Sequence, residues 1–165
     1  QKADIWDGGH RVPFLARWPG RIPAGSTSAE TICLTDLVGT MADLTGYELP
    51  DNAGEDSYSI VPALFGQRRS APLREATVHH SMLGRFSIRK GEWKLIVGRG
   101  SGGFSQPAVY KAKPGEPEGE LFNVAEDPGE ENNLYLKRPE IVNSLTALLD
   151  RYRRQGSSRP LRRGE

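Results

Sequence analysis

The sequence has 165 residues, enough for one domain with a real core or a modest domain with long loops, and too short for two full domains. Its 22 Lys and Arg against 21 Asp and Glu leave a net charge of +1, so no global field recruits nucleic acid or an anionic membrane, and neither is an expected partner. A content of 36% hydrophobic residues with 19 Gly and 12 Pro excludes disorder throughout and describes a turn-rich globular chain.

Cys33 is the single cysteine, which excludes an internal disulfide and a cysteine-based metal cluster and leaves the compartment undetermined. No apolar run is long enough to span a bilayer, and no charged-then-apolar leader opens the chain.

In chain order, Val12 to Trp18 is apolar and bounded by Gly8-Gly9 and Pro19-Gly20, the pattern of a short buried strand between turns. Such a strand needs neighbours on both sides, and the preceding eleven residues cannot supply a sheet. Leu34, Leu37, Val38, Met41 and Leu44 then recur at helical spacing, with Asp36 in the first turn and Gly46 where a left-handed cap belongs. A shorter helix follows in SIVPALFG, ended by Gly66.

From Ala76 to Val97 the period changes to two. Thr77-Val78 reads as strand, and Phe86 and Ile88, then Trp93, Leu95 and Val97, alternate with polar neighbours around the tight turn at Lys90-Gly91. This is an antiparallel meander with one covered face. Residues 98–119 carry glycine, proline and charge without period and read as a long loop.

Glu120 to Val124 gives one more strand, and EDPGEENN reads as a solvated acidic turn. Its Glu126, Asp127, Glu130 and Glu131 lack the alternating ligand spacing of a calcium loop, so no metal site is expected there. The last helix starts near Pro139 and carries Ile141, Val142, Leu145, Leu148, Leu149 and Tyr152 as an amphipathic stripe that should lie across the meander. Beyond it, arginines crowd among glycine, serine and proline in the pattern of a solvated terminus.

Three separated stretches resemble the sulfatases of the alkaline phosphatase superfamily. The first is Lys2 with Trp6-Asp7-Gly8-Gly9-His10-Arg11-Val12-Pro13 and Arg17-Trp18-Pro19-Gly20; the second is Arg89-Lys90-Gly91-Glu92-Trp93-Lys94-Leu95. The third is Glu120-Leu121-Phe122-Asn123 with Asp127-Pro128-Gly129-Glu130 and Asn132-Asn133-Leu134. Their order and spacing fit that family together, which no single one of them would establish.

The resemblance implies an α+β chain: a small antiparallel β-sheet packed against a C-terminal α-helix, preceded by the last strand and loops of an alkaline-phosphatase-like α/β domain. On that reading residues 1–70 end the α/β domain, with the helix near 34–45, residues 71–155 form the sheet-and-helix subdomain, and 156–165 are a flexible basic tail. The chain would then be the C-terminal portion of a sulfuric ester hydrolase, inactive alone, whose partner is the N-terminal sulfatase domain and whose substrate is a sulfated small molecule or glycan. A formylglycine and calcium or magnesium are expected in the complete enzyme and none in this chain. The resemblance also implies a periplasmic or secreted protein, and an exposed seam through which isolated copies self-associate.

The family's formylglycine precursor is a Cys or Ser followed by proline and arginine at fixed spacing. Cys33, followed by Leu34-Thr35-Asp36, fails it, and Ser70-Ala71-Pro72-Leu73-Arg74 is a near miss read as a decoy. Lys2 matches the family lysine that contacts the sulfate group, where an ammonium neutralises charge on the transferring oxygens, and is the catalytic candidate.

His10, His79 and His80 are the substrate-binding candidates. His10 follows two small residues that let the backbone approach a site, and would either contact the leaving group or hydrogen-bond at a domain seam. His79 and His80 are adjacent on a strand and so face opposite ways. Trp93 reads as core, and Arg11 and Arg89 as anchors for carboxylates or carbonyls. Two other functions fit the sequence: part of a related phosphoric or phosphonic ester hydrolase, and a noncatalytic module that binds a polyanion through arginines.

Overall fold

The computed structural model describes residues 1–160, and the chain divides into two units. One comprises Gln1–Pro13 with Val78–Arg151, and the other Phe14–Thr77 with the chain from Tyr152 onward. The opening residues thus group with the sheet rather than with the segment that follows them.

The first unit is built on a four-stranded antiparallel meander in the order β1 (Thr77–His80), β2 (Phe86–Lys90), β3 (Trp93–Ile96) and β4 (Glu120–Asn123). The β2–β3 register pairs Lys90 with Trp93, which leaves Gly91 at φ 59°, a left-handed conformation that a side chain would strain, to turn the hairpin. Helix α3 (Pro139–Gln155) follows, with Val142, Leu145, Leu148 and Leu149 buried along one stripe.

Alternation in the strands sorts their side chains onto two faces. Ile88, Leu95 and Leu121 share one face and are buried. The other carries Ser87 and Arg89 of β2, Lys94 and Ile96 of β3, and Glu120 and Phe122 of β4. That face is covered too. Ile5 and half-buried Trp6 pack with Ile96, Phe122 and Val124, each fully buried apolar side chain contributing about 1.5–3 kcal/mol.

The expectation of one covered face is therefore corrected. The cover comes from Ile5 and Trp6, which lie about ninety residues away in sequence from β3, so a local reading of alternation takes Arg89 and Lys94 for the solvent side. The long 98–119 connection is held by Arg99, which pairs with Glu116 at 3.2 Å and lies over the Tyr110 ring.

In the second unit, α1 (Asp36–Thr45) ends on left-handed Gly46, and the short α2 (Val61–Leu64) follows. Its interior sets a polar network beside buried Ile60, Leu73 and Ala76. Asp36 accepts backbone N–H groups from Cys33 and Tyr58 and is ion-paired with Arg74, whose guanidinium lies over the Tyr58 ring. Ser57 Oγ accepts from Gly39 N and donates to Thr35 O.

The helix thus buries Asp36, Gly39, Thr40 and Ala42, while Leu37, Val38 and Met41 of its apolar stripe are exposed. The buried side of the helix is held by hydrogen bonds, Gly39 N–H donating to Ser57 Oγ and Ile60 N–H to Thr40 Oγ1. Val12–Trp18, expected as a buried strand, is irregular and exposed; no strand of the described residues runs beside it to pair its backbone. Ser157 is buried, and the Arg159 guanidinium donates to the carbonyls of Pro50, Ala53 and Gly54. Those residues open the tail marked out from sequence, and 161–165 of it lie outside the described residues.

Candidate functional site

The motif Trp6-Asp7-Gly8-Gly9-His10 folds as a 3-10 turn over Asp7–Gly9, in which the N–H groups of His10 and Arg11 donate back to Asp7 O. Gly9 is required there, since a Cβ would collide with the Asp4 carbonyl. The turn sets the Asp7 carboxylate inward, toward the polar residues of the covered sheet face.

Lys94 meets it there with no solvent exposure. Its ammonium lies 2.8 Å from Asp7 Oδ1 and 2.7 Å from Glu130 Oε1. Glu130 closes the ring by accepting the Asp7 N–H on Oε2 at 2.5 Å. Arg89, directly opposite Lys94 on β2, brings a guanidinium nitrogen to 3.6 Å from Asp7 Oδ2. An isolated buried ammonium would be very costly, so the two carboxylates are what permit Lys94 to remain charged inside.

On the outer side of Asp7, His10 Nε2 lies 3.5 Å from Oδ1, and the His10 ring stacks on His79 with centroids 4.2 Å apart and planes 24° from parallel. His10 beside it and Lys94 beneath it hold the Asp7 carboxyl well below the usual carboxylate range, against the opposing effect of burial. The result is an anionic pivot under a half-buried histidine.

The structure brings together two of the four candidates, His10 and His79. His80 points elsewhere: its Nδ1 is 3.0 Å from Ser81 O and its ring is tilted against Phe86. Lys2 is exposed and makes no salt bridge among the described residues, two positions before buried Asp4.

Asp7, Lys94 and Glu130 were not candidates on sequence. The acidic turn read as solvated is corrected at Glu130, whose side chain is 3% exposed and whose φ of 55° turns it inward. A charged residue flanked by Trp93 and Leu95 inside a central strand was the available signal. The decoy Ser70–Arg74 also acquires a reason, because Arg74 is the buried partner of Asp36.

Residues 1–155 match the family model of the N-sulphoglucosamine sulphohydrolase C-terminal domain. The chain belongs to the sulfatase family. It is 29% identical over 153 residues to an N-acetylgalactosamine-6-O-sulfatase of Bacteroides thetaiotaomicron, a match covering 90% of this chain and 28% of that protein. Arylsulfatase G of Rattus norvegicus is 30% identical over 152 residues, covering 87% of this chain and 28% of the relative. Arylsulfatase A of Bos taurus is 35% identical over 150 residues, again 28% of its length. The chain therefore spans little more than a quarter of the relatives it matches.

Among solved structures, one of a protein bound to its substrate D-glucosamine-2-N,6-O-disulfate superposes with a TM-score of 0.61 and 26% identity, covering 84% of this chain and 27% of that one. A 6S-sulfatase from the glycosaminoglycan metabolism of Bacteroides thetaiotaomicron gives 0.54 and 28%, covering 70% and 23%. The expected α+β architecture, an antiparallel sheet with a C-terminal helix in a sulfatase frame, is what the chain has.

No group of three or more His, Cys, Asp or Glu side chains among the described residues is placed to hold a metal ion, and the buried carboxylates Asp7 and Glu130 already neutralise Lys94. Burial raises the Cys33 thiol above its ordinary value, so it is not an activated sulfur.

Proposed function

We propose that this chain is the C-terminal part of a sulfuric ester hydrolase and supplies one wall of its substrate cleft. Water replaces the alcohol on sulfur, the S–O bond to the alcohol breaks, and sulfate and a protonated alcohol leave. Lys2 places an ammonium against the nonbridging oxygens, where charge builds up as that bond breaks. His10, stacked on His79 and seated on Asp7, contacts the alcohol portion, while His80, on the other face of β1, turns to Ser81 and Phe86 and takes no part. The substrate class is a sulfated sugar or aryl ester.

In this reading the formylglycine and the calcium or magnesium belong to the family's larger α/β domain, and no step is assigned to a residue of this chain through them. That domain also covers the exposed apolar face of α1. What carries the reading is the family match over residues 1–155 together with a Lys2-to-His10 segment anchored on the sheet by a buried ion cluster.

Two measurements test it. The purified chain hydrolyses no aryl sulfate, with or without added calcium or magnesium; turnover above a heat-treated control would overturn the claim that it is catalytically incomplete. In a sulfatase that contains this chain, Lys2→Ala lowers kcat/KM by about a hundredfold or more, and an unchanged value would remove Lys2 from the site.

A further inference from the structure

Ala3 has a φ of 77°, a conformation that disfavours any residue with a Cβ, and it follows directly on Lys2. Two loops hold it there. The Met82 N–H donates to Ala3 O at 3.0 Å, and Gly103 lies so close that a Cβ on it would run into that same carbonyl.

The second loop is built with unusual care for a segment outside the sheet. Buried Asp4 accepts the N–H of Phe104 at 2.8 Å and of Ser105 at 3.1 Å on Oδ1, and the Ser105 hydroxyl on Oδ2 at 2.6 Å. Leu83 N–H donates to Gly102 O, and Gly102 takes a φ of 60° where a side chain would strike Ser81. Ser101, Gly102 and Gly103 are buried, yet the side chains this framework carries outward are apolar: Phe104 is 54% exposed, Met82 55% and Leu83 58%.

The positive φ at Ala3 and the buried Asp4 carboxylate together fix the backbone on which the exposed Phe104 ring is carried. We propose that Lys2, Met82, Leu83 and Phe104 form one binding face for a sulfate ester, Lys2 taking the anionic head and Phe104 with its two neighbours taking the flat apolar side of the alcohol, an aryl ring or the C–H face of a sugar. An ammonium beside an apolar platform is complementary to such an ester, charged at one end and apolar along one side. The proposal rests on the reading of Lys2 as the sulfate contact and adds the group that selects the alcohol.

Backbone NMR of the 165-residue chain tests it with phenyl sulfate, inorganic sulfate and phenol. Phenyl sulfate is expected to shift the amides of Lys2 to Asp4, Met82, Leu83 and Phe104 together, and to bind about tenfold tighter than inorganic sulfate. Phe104→Ala, and independently Leu83→Ala, should reduce the ester to the affinity of inorganic sulfate while the sulfate response at Lys2 stays. Both substitutions are at exposed sites, and retained amide dispersion checks the fold.

Equal affinity for phenyl sulfate and inorganic sulfate in the unsubstituted chain would overturn the platform and leave Lys2 standing as a sulfate contact. Shifts at Phe104 with phenol and phenyl sulfate alike, and none at Lys2, would overturn the proposal and the Lys2 reading together. Concentration-dependent shifts of Met82, Leu83 and Phe104 without ligand would overturn it in favour of a second copy covering the face.

Discussion

The Lys94 ammonium is fully buried 2.8 Å from Asp7 Oδ1, so a strand residue in the middle of the sheet fixes the turn that carries His10. Lys94→Met should cost about 3–5 kcal/mol of stability, because it strands two buried carboxylates. Lys94→Met with Glu130→Gln should recover part of that loss, since it removes one of the unpaired charges. Urea unfolding of the three proteins measures it, and a cost below about 1 kcal/mol for the single variant would show that the cluster is not held together by its charge.

Acid should loosen the same turn. The Asp7 carboxyl is lowered in the folded chain from an ordinary value of 3.8, so its contribution is complete above that value and is lost as pH falls toward the folded value. Thermal midpoints between pH 6 and pH 2 should therefore drop less steeply in Asp7→Asn than in the unsubstituted chain. Parallel curves would refute the linkage.

Glu120 carries the opposite sign. Burial raises its carboxyl above 4.5 despite the hydrogen bond from Trp6 Nε1 at 2.9 Å, so its contribution is complete below pH 4.5 and is lost as pH rises through the folded value. Glu120→Gln keeps an acceptor for the indole and removes the charge. It should raise the thermal midpoint at pH 7 by a few degrees, roughly 2–4 °C for each kcal/mol regained, and leave it unchanged at pH 4. A lower midpoint at pH 7 would mean that the charge itself is needed.

Arg74→Met should destabilise the second unit by about 3–5 kcal/mol, because Asp36 would keep its buried carboxylate without a cation. Arg74→Met with Asp36→Asn should be milder, the amide retaining an acceptor for the N–H groups of Cys33 and Tyr58. Hydrogen exchange of the α1 amides reads the effect, and equal protection in both variants would refute the pairing argument.

The exposed side of α1 should behave as surface in the isolated chain. Met41→Lys is expected to change stability by no more than about 0.5 kcal/mol and to lower the average mass seen in sedimentation at high concentration. A large loss of stability would mean that the face is packed in solution.

Much of the fold was legible locally. Period-two alternation around Lys90-Gly91 marks the β2–β3 hairpin, Gly46 marks the end of α1, and the Val142–Leu149 stripe marks α3, because each depends on residues within a few positions of one another. Motif spacing was enough to show the sulfatase family, and it singled out Lys2 and His10.

What only the tertiary structure decided lies in pairs far apart in the chain. Lys94 reads as the solvent side of a strand until Asp7 arrives 87 positions away to pair with it, and Glu130 reads as one of several surface acids until its φ of 55° turns it onto the same ammonium. The apolar stripe of α1 reads as core, yet a buried carboxylate 38 positions from Arg74 draws the opposite side of the helix inward. Hydrophobic period identifies an element and its faces; the partner that each face meets depends on chain closure over long separations, which sequence pattern does not encode locally.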